Sequence, residues 1–367
     1  MKLADAAYRM GWVSRLTPAA PTTASGTDTS ANRRASTTNA GTSTTSVSSN
    51  AGRYAAELAA AAALAIVIAV NSPLATTVIG LICFGILHNV LELRYVLGRF
   101  GDLLSGGIGV LLVILVSGIA VTRLGGAYFG GWATPAEILL GYAVLGAGAW
   151  MSLRGMPRYA ALAVILGAAG VSLSHAAYHV VVLAHLHNLV PLVFLWEWSR
   201  RLPLPVRRGF RGVQVAWVLV VPSLVLAGFV DRWMNPDPSA VRALVGEGAQ
   251  LVSAVAWPAA PETGMRWLVA FAFLQTMHYA VWVWFMPRAA PEAAEVFEAR
   301  WPVASSRLVW AVAIALAAAL GALLLADYGQ GRTVYSGLAT YHAYLEFPVV
   351  LVLLTRWRGL VDSYPDH

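Results

Sequence analysis

The sequence predicts an all-α, polytopic integral membrane protein with about ten spanning helices, on the strength of its composition, the length of its apolar runs and the placement of its cations. Of its 367 residues 58% are hydrophobic and only 12% charged, with a mean hydropathy of +0.65. Soluble domains carry about 25% charged residues, so water is not the main solvent of this chain.

A spanning helix needs about 20 mostly apolar residues. Residues 104–123 and 306–326 meet that length with no charge between Leu103 and Arg123 or between Arg307 and Asp327. Further segments of that kind are 55–71, 74–97, 134–153, 159–181, 183–199, 212–230, 265–286 and 333–355. Pro73 ends the first, and Gly98 with Gly101 closes the second, as Pro and Gly punctuate helices. Residues 235–262, with Pro236, Pro238, Pro258 and Pro261, read as a loop holding an interfacial or re-entrant helix.

The cations set the path. Arg94 and Arg99 follow the second segment, Arg154 and Arg158 the fourth, Arg200, Arg201, Arg207, Arg208 and Arg211 the sixth. Arg288 and Arg300 follow the eighth, and Arg356 and Arg358 the tenth. Every second loop is basic, while the others mix Arg123, Arg232, Arg242, Arg266 and Arg332 with Asp231, Asp237, Glu247, Glu262 and Asp327. By the positive-inside bias, both termini are expected on the cytoplasmic side of the plasma membrane. The net charge of +7 is thus a topology signal. No aromatic-and-basic platform lies outside the spans, so nucleic acid is discounted.

Residues 1–52 are rich in Thr, Ser, Ala and Gly and lack an apolar run, which predicts a flexible cytoplasmic tail. The opening MKLADAAYRMGWVSRL has no uninterrupted apolar core of the length a secretory signal needs. The membrane domain is expected over 53–358, followed by a short cytoplasmic tail at 359–367. Cys83 is the lone cysteine, so disulfides and a cysteine-based metal site are excluded.

Chemistry is expected from histidine. His88, His175, His179, His185, His187, His278 and His342 all fall in apolar surroundings, and only His367 is a tail residue. An ionisable group at bilayer depth costs about 2.5–3.5 kcal/mol on insertion scales, which makes such residues candidate functional sites. His88 and Glu92 in GILHNVLELRY are four apart, and His342 and Glu346 in TYHAYLEFP repeat that spacing. Residues at i and i+4 share one helix face, so each pair presents an imidazole and a carboxylate to one point. His175 and His179 in SHAAYH give a third such face, and His278 in QTMHY comes from another helix. His185 and His187, in AHLHN, are two apart and do not face together on a helix. Either the chain turns there or only one of the two is a ligand, the other supporting it or facing substrate.

Nine residues therefore form the candidate metal set: His88, Glu92, His175, His179, His185, His187, His278, His342 and Glu346. Asn89, Arg94 and Tyr341 are expected beside them, with Arg94 pairing with Glu92 or snorkelling. Glu197 in FLWEWSRR reads as an interfacial ion-pair residue, and the fourteen Trp as belt and packing residues. Imidazole with carboxylate and no thiolate suits Fe, Zn, Mn or Cu, and the 2-His-1-carboxylate pattern points to non-haem iron, as one or two ions, with zinc the alternative. A single helical site of that size resembles in logic the di-iron carboxylate bundles. Four activities compete on these residues: an O2-dependent iron enzyme acting on a fatty acyl chain, isoprenoid or carotenoid, with an electron donor; a zinc-dependent membrane lipid hydrolase; a haem or quinol electron-transfer protein; and a metal or proton transporter. Against the last, no inverted repeat is found.

HNVLE near the first spans, YHAYLEF near the C-terminus and LQTMHYAVWVW resemble motifs of the Brp/Blh-type membrane carotene 15,15'-dioxygenases, polytopic His-ligated non-haem iron enzymes that cleave β-carotene to retinal. The resemblance covers short patches. It implies a membrane non-haem iron oxygenase, with carotenoid as one candidate substrate. Glu stands where that family has Asp, its late HxxxH is absent around His278, and an HxxxH occurs instead at His175 and His179.

Overall fold

The structure, a computed structural model, describes residues 42–235, 239–245 and 249–361. Among the described residues there are helices and no strands. The helices run α1 (Thr42–Asn71), α2 (Pro73–Phe100), α3 (Gly106–Leu124), α4 (Ala133–Ser152), α5 (Met156–Ser174), α6 (Ala176–Leu189), α7 (Pro191–Trp198), α8 (Leu204–Val215) and α9 (Val221–Leu226). They continue as α10 (Ser239–Val245), α11 (Ala249–Val255), α12 (Gly264–Tyr279), α13 (Pro291–Arg300), α14 (Ser306–Ala326) and α15 (Tyr328–Val361).

Among the described residues, nine helical stretches are long and apolar enough to cross a membrane. α4, the fourth of the ten expected spans, is a 20-residue helix but is not among them; Glu137 near its start lowers its hydropathy. α1 begins at Thr42, inside the segment whose composition reads as a tail; residues 1–41 and 362–367 lie outside the described residues.

The boundary between the fifth and sixth spans is corrected. It falls at His175 (φ −135°, ψ 54°) and not near residue 182, and Ala176–Arg201 forms one span. The continuous apolar run through 180–184 hid no turn; the polar Ser172, Ser174 and His175 mark it. The 235–262 segment holds α10 and α11, which bury Val245, Leu251 and Val255 against Leu74, Val78 and Leu268.

Local chemistry fixes the ends. Pro73 opens α2 at a position where its missing N–H has no helical partner to lose. Ser305 caps α14 by accepting from the Leu308 N–H at 3.4 Å. Close approach then depends on glycine: a Cβ on Gly98 would collide with the Ala293 carbonyl of α13, and one on Gly148 would meet the Pro348 backbone at 2.9 Å. Small residues at helix contacts are how membrane bundles gain packing.

Alternating direction puts the basic loops at one end of the bundle. There Arg94 pairs with Glu298, Arg201 with Glu292 and Arg300 with Asp102, while Arg200 pairs with Glu197 at 3.1 Å. Glu197 thus is the ion-pair residue the sequence predicts. The expected Arg94–Glu92 pair does not form, because Arg94, two residues further on, points to another side of α2.

Burial sorts the helices. In α2, in the Pro261–Ala289 span built on α12, and in α15, 56%, 72% and 67% of the most apolar stretch is buried, against 6% in α5. On α5, Val164, Leu166 and Val171 are exposed, as suits a helix against lipid. The three innermost spans are those that carry His88, His278 and His342.

Candidate metal centre

Four helices each bring one imidazole to the middle of the bundle. His88 (α2), His187 (α6), His278 (α12) and His342 (α15) each offer a ring nitrogen, and these four atoms lie within 4.8 Å of one another. His88, His278 and His342 are buried and His187 is half-buried.

Backbone irregularities adjoin two of the four. His278 lies two residues before a π-helical turn, Ala280–Phe285, a feature enriched at functional sites. Pro191 lacks the N–H that would bond the His187 carbonyl, which accepts instead from the Val190 N–H at 3.1 Å.

Hydrogen bonding fixes the tautomers. A carbonyl oxygen only accepts, so His88 Nδ1–H donates to the Phe84 carbonyl at 2.9 Å and its Nε2 is left as a bare lone pair. With Glu346 ionised, His187 Nδ1–H donates to Glu346 Oε1 at 2.7 Å, which leaves its Nε2 bare as well. Both lone pairs face His342 Nε2, at 3.2 and 3.1 Å. One proton on His342 Nε2 satisfies one of them at most. Converging lone pairs repel, and a cation among them removes that repulsion.

The donor set fits a metal ion. Four imidazoles around one ion at about 2.1 Å stand about 3.4 Å apart in a tetrahedral arrangement; the two pairs made by His342 are 3.2 and 3.1 Å apart, and all four nitrogens lie within 4.8 Å. Among the described residues, both ring nitrogens of His278 and Nδ1 of His342 have no hydrogen-bond partner. Such orphaned groups are costly unless something binds them.

The two carboxyls lie one turn beyond, toward the basic end. Glu346 holds His187, and Glu92 Oε2 is 3.5 Å from His278 Nε2. Both are fully buried. They adjoin the imidazoles as groups that orient ligand rings do. Asn89 is buried with neither side-chain atom bonded, and Tyr341 turns away to share a 3.0 Å hydrogen bond with Ser117.

Three predicted ligands stand elsewhere. His179 is eight residues before His187, about 12 Å along a helix, beyond the reach of a shared ion; its Nδ1 meets Ser172 Oγ at 3.2 Å. His175 lies at the α5–α6 junction, exposed, 3.3 Å from the Val171 carbonyl. His185 is helical rather than in a turn, and two residues of helix rotate it by roughly 200° from His187. It donates to the Val255 carbonyl at 2.9 Å, between Trp267 and Phe271.

A cavity of about 270 Å³ opens from the four imidazoles toward the end opposite the basic loops. Its walls are mostly apolar, with Leu81, Leu183, Phe271 and Ala339 among them, and α11 supplies Leu251 and Val255. Arg123 lines it and pairs with Glu137 at 2.5 Å. The sequence reading missed the polar residues of this cavity. Arg123 and Arg332 passed as loop charges, although Gln275 and Tyr279, one i, i+4 step apart beside His278, were visible.

Fold and centre together define a polytopic helical bundle with a buried four-histidine cluster able to hold a metal ion. The chain matches no family model, no curated protein and no solved structure.

Proposed function

We propose that this chain is a membrane-embedded non-haem iron oxygenase that acts with O2 on a lipophilic substrate. The observation that carries the reading is the convergence of bare imidazole nitrogens at the inner end of an apolar cavity. A nitrogen-only set without thiolate suits iron, and bound iron supplies O2 binding and activation. The chain's residues hold four ring nitrogens in place, and the surrounding apolar wall keeps water out. Glu346 sets the His187 ring, and Glu92 lies 3.5 Å from His278 Nε2. The apolar cavity favours a fatty acyl, isoprenoid or carotenoid substrate entering from lipid, and a reaction that consumes reducing equivalents requires an external electron donor. We place the basic loops, and with them both termini, on the cytoplasmic side.

The test is metal analysis of the full-length protein, purified in detergent from iron-replete cells, with an optical spectrum and O2 uptake. About one iron per four-histidine cluster is expected, with O2 uptake that depends on a lipophilic substrate. Stoichiometric zinc in a folded preparation would replace this reading with a metal-dependent hydrolase, and a Soret band would replace it with a haem protein.

A further inference from the structure

The cavity is polar at its far end as well as at the imidazoles. Arg332 lies ten residues before His342 on α15, about 15 Å along the helix axis. It lines the cavity, is half-buried, and has no ion-pair or hydrogen-bond partner among the described residues. The other guanidinium on the wall, Arg123, is already paired with Glu137. Tyr328, one turn further from His342, also lines the cavity, and its hydroxyl is buried without a partner. On α2, Thr77 lies eleven residues before His88 and marks the same end.

We infer that the cavity takes a single-chain apolar molecule with an anionic oxygen head, such as a long-chain carboxylic acid. The head binds Arg332 and the Tyr328 hydroxyl, and the chain runs down the apolar wall to the four imidazoles. An unpaired guanidinium beside a buried hydroxyl donor is complementary to a carboxylate, since both donate and neither accepts a proton from it. Between them and the imidazoles Leu81, Leu183 and Ala339 give an apolar wall, interrupted by Gln275, Ser336 and the Arg123–Glu137 pair, so the chain is held mainly by burial. The geometry acts as a ruler: a head fixed at Arg332 brings a carbon well along the chain to the metal centre and keeps the carboxyl away from it. The inference rests on the reading of this cavity as the substrate chamber of that centre.

The test uses full-length, metal-free protein in nanodiscs of zwitterionic lipid, so its outcome does not depend on any metal or activity. Dodecanoate, dodecanol and dodecane are compared by competition against a fluorescent fatty acid. Dodecanoate is expected to bind best, with Arg332→Gln weakening it about tenfold or more, the size of a hydrogen bond to a charged group. Dodecanol is expected to change little, and Arg332→Lys to keep most of the preference for the acid. Fatty acids carrying a diazirine next to the carboxyl or near the methyl end then map the direction on the wild-type protein. Label from the first is expected around 328–336 and from the second around His187 and Ala343. Equal binding of acid and alcohol, or labels in the reverse order, overturns the inference. So does loss of acid binding when phosphatidylglycerol is added, because the cation then serves a membrane lipid. Arg332-dependent acid binding, together with no iron in the protein as purified from iron-replete cells, would leave this inference standing and remove the oxygenase.

Discussion

Seven histidines look alike in the sequence, each in an apolar run, yet the bundle divides them into two populations. His88, His187, His278 and His342 meet mid-bundle, where one carbonyl and one carboxyl set two rings and lone pairs are left facing one another. His175, His179 and His185 stand toward the opposite end from the basic loops, and each has an ordinary partner: a backbone carbonyl or a serine hydroxyl. The difference teaches that depth in an apolar run is weak evidence for a ligand. Three ring nitrogens facing one another are stronger evidence, because a single proton satisfies only one pair of them whereas a metal cation satisfies all three.

The sharpest way to break the division is to truncate one member of each population. His342→Ala removes the nitrogen that both neighbours face, and metal retained after purification should fall from near stoichiometric to background; His187→Ala should match it. His179→Ala should leave metal content unchanged. Should His179→Ala strip the ion as His342→Ala does, the two populations are one.

A smaller effect is expected one step from the nitrogens. Glu346→Gln removes the carboxylate that fixes the His187 tautomer, and loss of such a partner costs about 10–100-fold in metal affinity. Chelator competition measures it, and saturating metal should restore full loading. An unchanged affinity would mean the His187 ring is set by packing alone.

Between the populations lies the Arg123–Glu137 pair, about four-fifths buried on both sides and bonded also to Tyr344 at 3.3 Å. Arg123→Gln should destabilise the protein by about 1–3 kcal/mol, because a largely buried carboxylate loses its counter-ion. Thermal unfolding in detergent reads this, and metal content per folded molecule should stay constant. The smallest effect belongs to the second population: His185→Ala loses one hydrogen bond to α11, about 1 kcal/mol, with metal binding unaltered.

How much of the centre was legible follows from range. The i, i+4 pairs His88–Glu92 and His342–Glu346 are local geometry, and both pairs do lie at the cluster. The same rule placed His175 with His179, and it failed there because sharing a helix face says nothing about what that face meets. The spacing of His185 and His187 left one ligand between them; packing of α6 against α12 and α15 turned His187 inward. Arg332 and Arg123 were hidden because a cation at the end of a span looks the same whether it faces lipid headgroups or a cavity.

The sequence by itself determined that the chain is a helical membrane bundle, since apolar run length, Pro and Gly punctuation and cation placement are properties of single segments. It also determined which residue types were available for chemistry, with no thiolate pair among them. Only the tertiary structure decided which four of seven imidazoles converge, where α6 begins, and that an apolar cavity joins them to an arginine with no ion-pair partner among the described residues. Those facts depend on contacts between helices far apart in the chain, such as His88 with His342, and no local pattern encodes the rotation of one packed helix against another.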